Sequence, residues 1–386
     1  MSVPGEARSP GAQRHVLWGR LPDQRPLREL YWLSRMPDTT VTEVGSPRTH
    51  GPDAGIGYVD RPMRRPVKRF VEAGALGWIH RLGTVDPRPY TWVASLELCA
   101  LVTGQLSAYA SRHGLRQAVV TWENLPNQPL YRLPPYAWAT RRALGADLMV
   151  CPIEAARDHL VALGYPESRI AVVPPGVDLE VFRPAEALGV DRDPDLVAFV
   201  SPLASNKGID TVLDAMDVVR HEHPSARLVV AGRGPLERLV QERAAASAGA
   251  IRHIGALDRA GVARLLASAG AFTTAPRPTW KWNEQFGLAY LEAMASGIPI
   301  VTTASGTNHE AVRPPNVRTA NTPAALANGL LGLLRDPAAA ARIGADNRRL
   351  AEARHDLAEQ TRALGAAFAV AERWPPRRRR RGGRPA

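Results

Sequence analysis

The sequence predicts two doubly wound α/β domains in one chain, and three observations carry that expectation. From residue 196 to 303 short apolar runs alternate with amphipathic stretches over brief links, the pattern of a parallel sheet covered on both faces. A looser alternation of the same kind occupies residues 14–174. Between the two, Pro174, Pro175 and Gly176 open a turn-rich stretch that ends at Pro184, which marks the domain boundary. A length of 386 residues accommodates two ordinary domains.

Each element follows from local pattern. In the first half, residues 15–18, 40–44, 91–96, 117–122, 147–151 and 170–173 read as strands, and 98–113, 136–144 and 153–163 as helices. In the second half the strands are 196–200, 227–231, 251–254, 271–274 and 298–303. The helices between and after them are 208–221, 236–246, 259–268, 286–295, 323–334, 338–353 and 357–372. The resulting organisation is an N-terminal domain over 14–180, a C-terminal domain over 181–355, a helix over 356–373 able to cross back to the first domain, and a basic tail over 374–386. Ligands of such sheets bind at the carboxyl ends of the strands.

Composition narrows the functional class. The chain is 45% hydrophobic and 22% charged, the balance of a globular protein rather than a disordered or fibrous one. No apolar run approaches the ~18 residues of a membrane span, and the first residues lack a signal-peptide core, so a soluble, cytoplasmic chain is expected. Two cysteines, Cys99 and Cys151, provide no disulfide framework or cysteine-rich zinc module. The net charge of +12 is misleading, because residues 373–386 contain seven arginines and no acid. A nucleic-acid enzyme would spread its basic residues over the core; a terminal arginine run reads as a solvated tail or an attraction to anionic lipid. A second candidate for lipid contact is residues 61–82, where Arg61, Arg64, Arg65, Lys68 and Arg69 mix with Phe70, Trp78 and Ile79 around a single acid, Glu72.

Only three of the 49 basic residues are lysines, namely Lys68, Lys207 and Lys281. A lysine kept in such a background suggests a need for a compact, flexible ammonium. Lys207 follows the first strand of the second domain, and Lys281 sits between Trp280 and Trp282. Just beyond lies the strongest constellation, in which Glu284 and Glu292 stand eight residues apart around Gly287. A helix beginning near Glu284 would turn both carboxylates to one side, and its N-terminus would suit a phosphate. The bland alternative is a helix with two solvated glutamates. Ser305-Gly306-Thr307 reads as a second small-residue turn opening another helix. Together these features point to a nucleoside-diphosphate site.

At this point the sequence resembles retaining glycosyltransferases of family 4, also called glycosyl transferases group 1. The resemblance rests on VVPPGVDLEVFRP (172–184), VSPLASNKGID (200–210), LVVAGRGPL (228–236), EQFGLAYLEAMASGIPIV (284–301) and ASGTNHEAV (304–312). It implies the GT-B fold of two facing Rossmann-like domains with a cleft between them, the second domain holding a nucleotide-sugar donor and the first an acceptor. By the same resemblance Glu284 faces the donor sugar, and the amides of Phe286, Gly287 and Leu288 hold the distal phosphate. Glu292 binds the ribose, Lys207 neutralises the leaving diphosphate, and residues from Ile254 to Leu257 pack on the base. It implies no cofactor and no metal beyond the donor itself.

The chain departs from the family at one point. Where an arginine usually accompanies the lysine, Ser201-Pro202-Leu203 places a proline, which has neither charge nor donors. Either Lys281 or Arg233 takes its place, which is the expectation, or the activity is reduced. The first domain has no His-x-His motif, and its candidate acceptor contacts are Glu97, Glu123 and Asn124. The expected acceptor is a glycan, a lipid-linked molecule or a small molecule, with peripheral contact to an anionic membrane and no nucleic-acid partner. Two alternatives stand beside transfer: epimerisation of a nucleotide sugar on the same fold, or a noncatalytic donor-binding subunit, the latter motivated by Pro202.

Overall fold

A computed structural model describes residues 13–19, 32–45, 56–61, 63–64, 77–125, 132–279 and 282–375. The chain divides into two compact units, Met1–Pro174 with Ala358–Ala386, and Pro175–Leu357. The boundary thus falls six residues before the 180/181 position read from the sequence. Lys68, Lys281, most of the basic 61–76 stretch and the arginine run of the tail lie outside the described residues.

In unit 1, strands β1 (Arg14–Gly19), β2 (Thr39–Gly45) and β3 (Ile56–Asp60) precede a separate antiparallel pair, β4 (Met63–Arg64) and β5 (Trp78–Ile79). Strands β6 (Trp92–Leu96), β7 (Arg116–Val120), β8 (Leu148–Cys151) and β9 (Ile170–Val172) complete a seven-stranded parallel sheet in the order 3-2-1-6-7-8-9. The central strands are buried on both faces, β6 without exception, which is why they read as unbroken apolar runs. The edge strand β3 is exposed along most of its length, and no such run announces it. Helices α1 (Leu101–His113), α2 (Pro134–Ala143) and α3 (Glu154–Ala162) connect the later strands.

Unit 2 contains β10 (Asp193–Val200), β11 (Arg227–Ala231), β12 (Ile251–His253), β13 (Ala269–Thr274), β14 (Ile300–Thr303) and β15 (Val317–Thr319). They are parallel in the order 12-11-10-13-14-15. The order reverses between β10 and β13, the switch point at which open α/β sheets bind ligands. Around the sheet lie α4 (Ala185–Leu188), α5 (Ile209–Glu222), α6 (Glu237–Ala246), α7 (Arg259–Ser268), α8 (Leu288–Ala295), α9 (Pro323–Leu334) and α10 (Pro337–Arg354). Helix starts are explicit in the sequence: Asp258, Thr322 and Asp336 each accept a hydrogen bond from an amide three residues on, and α9 and α10 carry proline in the first turn. Val197, Phe199, Leu213, Met216, Leu228 and Leu330 belong to its fully buried core. The last helix, α11 (Leu357–Glu372), packs on unit 1, where Phe368 lies 4.7 Å from the Trp92 ring and Glu372 accepts from Trp92 Nε1 and Arg14 Nε, each at 2.9 Å.

Three local expectations need correction. The helix expected over 286–295 begins at Leu288, after Gly287 in a left-handed conformation with φ 80°. Glu284 therefore lies on the loop before the helix, and the two-turn spacing does not align it with Glu292. The strand expected over 117–122 ends at Val120: the Thr121 amide still donates to the Val150 carbonyl, but the Trp122 amide turns to the Glu97 carboxylate. Ser305-Gly306-Thr307 forms turns rather than opening a helix.

Candidate functional site

Two loops meet at the switch point of unit 2. The first leaves β10 through Ser201–Ala204, makes a 3₁₀ turn over Ser205–Lys207, and enters α5 through Gly208. Gly208 has φ 65°, and a Cβ there would lie 1.8 Å from the Ala275 carbonyl oxygen, so only glycine lets this loop cross the end of β13. Residues 201–203 rest on the next loop just as closely: Leu203 N–H donates to Arg233 C=O at 3.0 Å, and a Cβ on Gly232 would lie 2.0 Å from Ser201 O. Lys207 is thereby held above the sheet edge.

The second loop leaves β13 at Ala275 and reaches α8 at Leu288. Lys207 Nζ donates to Glu284 Oε2 at 2.7 Å, with the two side chains 22% and 10% exposed. The same ammonium stands 4.5 Å from the Trp282 ring centroid, a cation–π contact. Glu284 is fixed from behind: Thr307 N–H donates to its backbone carbonyl at 3.0 Å and the Thr307 hydroxyl to that of Gln285. A Cβ on Gly306 would lie 2.3 Å from Glu284 O, so this small-residue turn braces the carboxylate. Its Thr307 amide is spent on that brace and is not offered to a ligand.

Among the described residues, no acceptor meets the amides of Phe286, Gly287 or Leu288. They form the N-terminal end of α8, where the helix dipole is positive. At the opposite end Arg348 bonds the Ala295 carbonyl, and Arg192 bonds those of Ser296 and Gly297, offsetting the negative end. Burial holds the Arg192 guanidinium below its ordinary range. Beneath the helix, the fully buried Tyr290 hydroxyl lies 3.0 Å from Thr274 Oγ1 and 2.9 Å from Thr302 Oγ1. This network ties α8 to the ends of β13 and β14; burial and the nearby Glu284 push the phenol up to about 12.

The remaining candidates divide. Glu292 is half-buried on α8, Ile254 is exposed, and Leu257 is half-buried in the loop after β12. Arg233 pairs with Glu237 at 3.1 Å and stands over Gly255 beside that loop. Pro202 is exposed. Arg277, after β13, is committed to Asp210 at 2.8 Å and to Thr211. In unit 1 the candidate carboxylates fasten loops: Glu97 ties the loop after β6 to the one after β7, and Glu123 holds its own. Glu97, with φ 63°, accepts from the Thr121 hydroxyl and the Trp122 amide, and Glu123 accepts from the Leu125 amide. Burial raises the Glu123 pKa, while Asn124 lies half-buried in the same loop. Burial and Glu97 push the Cys99 and Cys151 thiols upward, away from reactive thiolate.

Sequence reading missed the Trp282 platform, the paired arginines behind α8 and the Thr274–Tyr290–Thr302 network. Threonines at matched register on adjacent strands, Thr274 opposite Thr302, were the available signal, and it needs the strand order to be read.

A doubly wound sheet with a lysine, a carboxylate and a helix N-terminus at its switch point places unit 2 in the class of Rossmann-like proteins that bind anionic ligands at the carboxyl edge. Residues 184–350 match the family described as Glycosyl transferases group 1, and residues 85–181 match Glycosyltransferase Family 4. The chain belongs to this family of glycosyltransferases.

Among curated relatives, a GDP-mannose-dependent alpha-(1-6)-phosphatidylinositol dimannoside mannosyltransferase of Mycobacterium tuberculosis is 30% identical over 253 residues, 61% of this chain and 64% of that protein. A D-inositol 3-phosphate glycosyltransferase of Mycolicibacterium paratuberculosis is 33% identical over 216 residues, 51% of this chain and 46% of that protein. The chain thus spans about half to two thirds of these relatives. Among solved structures, Anabaena Alr3699/HepE in complex with UDP and glucose is similar with a TM-score of 0.69 at 16% identity, covering 93% of this chain and 100% of that one. Sucrose-phosphate synthase from Thermosynechococcus elongatus is similar with a TM-score of 0.69 at 17% identity, covering 93% and 99%. The fold is GT-B.

Proposed function

We propose that the chain is a retaining glycosyltransferase that moves a sugar from a nucleoside-diphosphate donor held on unit 2 to an acceptor hydroxyl. The observation that carries this reading is the Lys207–Glu284 pair beside the N-terminus of α8. Without donor, the two charges satisfy each other. When a diphosphate arrives, Lys207 turns to its oxygens, the amides of Phe286, Gly287 and Leu288 take the distal phosphate, and Glu284 is released to face the sugar. As the anomeric C–O bond to phosphate breaks, positive charge grows on the sugar beside Glu284 and negative charge on the diphosphate beside Lys207. The acceptor oxygen bonds to the anomeric carbon on the face the diphosphate leaves. The departing phosphate oxygen takes the acceptor proton, so the step needs neither an enzyme base nor a metal. Glu292 holds the ribose, and Ile254 and Leu257 flank the base.

The relatives' names make GDP-mannose the first donor to test and an inositol-containing lipid the first acceptor. Purified protein is incubated with radiolabelled GDP-mannose or UDP-sugars, with and without lipid extract. Transfer of label supports the reading. An epimerised donor favours the epimerase alternative, and donor-dependent thermal stabilisation without turnover favours a noncatalytic subunit, the reading that Pro202 motivates. A chain that neither binds nor turns over any nucleotide sugar defeats the proposal.

A further inference from the structure

Unit 1 contains a second candidate site, away from the strand ends that a transferase uses. A cavity of about 420 Å³ opens between β5, the turn after it and the outer face of α1, within the ~300–1,000 Å³ range of pockets that hold small ligands. Its walls are aromatic and aliphatic: Trp78, Leu82, Tyr109 and Trp138. Gly104 fixes the place of one wall, since a Cβ there would lie 2.3 Å from the Trp138 ring; the missing side chain lets the indole approach α1 closely. Leu82 and Tyr109 are buried, whereas Trp78 and Trp138 remain partly open to solvent.

The mouth is cationic. Arg81 and Arg112 line the cavity, no acidic residue does, and neither arginine has an ion-pair partner among the described residues. A third, Arg142, stands 5.9 Å from the Trp138 ring. Arg81 holds a left-handed backbone, φ 55° and ψ 33°, fixed by the Thr84 amide and hydroxyl on its carbonyl. A side chain costs free energy in that conformation, which glycine would adopt freely; keeping arginine there keeps a charge at the rim.

We infer that this cavity takes one acyl chain of an anionic phospholipid, with the lipid phosphate on Arg81 and Arg112. The apolar walls suit a hydrocarbon chain, guanidiniums with no ion-pair partner among the described residues suit a phosphate, and partly exposed tryptophans suit the membrane–water interface. Charge complementarity favours an anionic headgroup over a zwitterionic or cationic one. The inference stands on unit 1 alone and survives failure of the transferase reading.

The test uses the full chain and vesicles of phosphatidylglycerol or of phosphatidylcholine, with bromine on the acyl chains to quench nearby tryptophan. Phosphatidylglycerol vesicles bind and quench fluorescence, phosphatidylcholine vesicles bind at least ~10-fold more weakly, and Trp78→Phe with Trp138→Phe removes most of the quenching. Ala108→Trp, which fills the cavity, and Arg112→Glu, on the exposed rim, each weaken phosphatidylglycerol binding ~10-fold with the thermal midpoint of Arg112→Glu unchanged. Equal binding to both vesicle types, quenching that persists in the Trp78→Phe/Trp138→Phe variant, or wild-type affinity in Arg112→Glu each overturns the inference. The last result would assign vesicle binding to the basic tail.

Discussion

The two sheets share a strand order at their centres, yet their carboxyl edges are opposite in chemistry. In unit 2 the edge at the switch point carries Lys207, the open amides before α8 and glycines that let loops cross at contact distance. In unit 1 the corresponding ends of β6, β7 and β8 carry Glu97, Glu123 and Cys151; Glu97 is engaged with the loop after β7 and Glu123 within its own loop. One edge is built to receive negative charge, and the other to hold its loops in a fixed shape. The fold supplies a crevice in both places; the loop residues decide what it can accept.

The largest test of this contrast is Lys207→Ala. Removing the cation from unit 2 is expected to cut kcat/KM by ~10²-fold or more, as loss of one charge-stabilising group does elsewhere, with the circular dichroism unchanged. A variant retaining wild-type kcat/KM would end the phosphate role of Lys207.

Glycines offer a matched pair of substitutions. Gly208→Ala meets the Ala275 carbonyl at 1.8 Å in addition to its φ of 65°, whereas Gly114→Ala has φ 69° and nothing within 4 Å. The first is expected to cost ~3 kcal/mol or more and the second ~1 kcal/mol, read by urea unfolding. Similar losses at both sites would show that close approach adds nothing to backbone strain.

The carboxylates of unit 2 separate by role. Glu292→Ala removes contacts to a ribose that does not change during reaction, so it should raise donor KM with a smaller effect on kcat. Glu284→Ala should lower kcat more than it raises KM. Glu284→Gln should rescue little where charge matters and much where hydrogen bonding alone does. Identical kinetics in the two alanine variants would remove this division of labour.

The smallest effect concerns pH. Burial depresses the His355 pKa from 6.5, although its bond to the Pro175 carbonyl opposes that shift. The folded state therefore resists the proton that the unfolded chain accepts. Stability is complete above about pH 6.5 and falls as pH drops from there toward the lower folded value. His355→Gln should flatten this dependence in thermal melts between pH 7.5 and 5.5; an unchanged slope would clear His355 of the effect.

Much of unit 2 was legible because its strands are buried on both faces and its helices open with Asp258, Thr322 and Asp336 caps. The three-residue strand β15 was not, since Val317–Thr319 is too short and too exposed for a periodic signal. The start of α8 was misplaced because Phe286 continues the apolar pattern, whereas the left-handed Gly287 decides where helical hydrogen bonding begins. Motif spacing singled out Lys207 and Glu284 as site residues, but only loop geometry reveals that they bond each other. Glu97 and Glu123 could be picked out as polar residues after strands; the partners of Glu97 lie up to 25 residues away on the next loop and leave no mark in the pattern.

Unit 2 is one uninterrupted length of chain, whereas unit 1 is completed by α11, which follows it in sequence. During synthesis from the N-terminus, the sheet of unit 1 leaves the ribosome long before Phe368 and Glu372 exist to cover Trp92 and bond Arg14. The second-made unit can close its core first, and the first-made unit waits with an indole uncovered. The order of manufacture is thus reversed in the order of completion, and the interval between them is the length of unit 2.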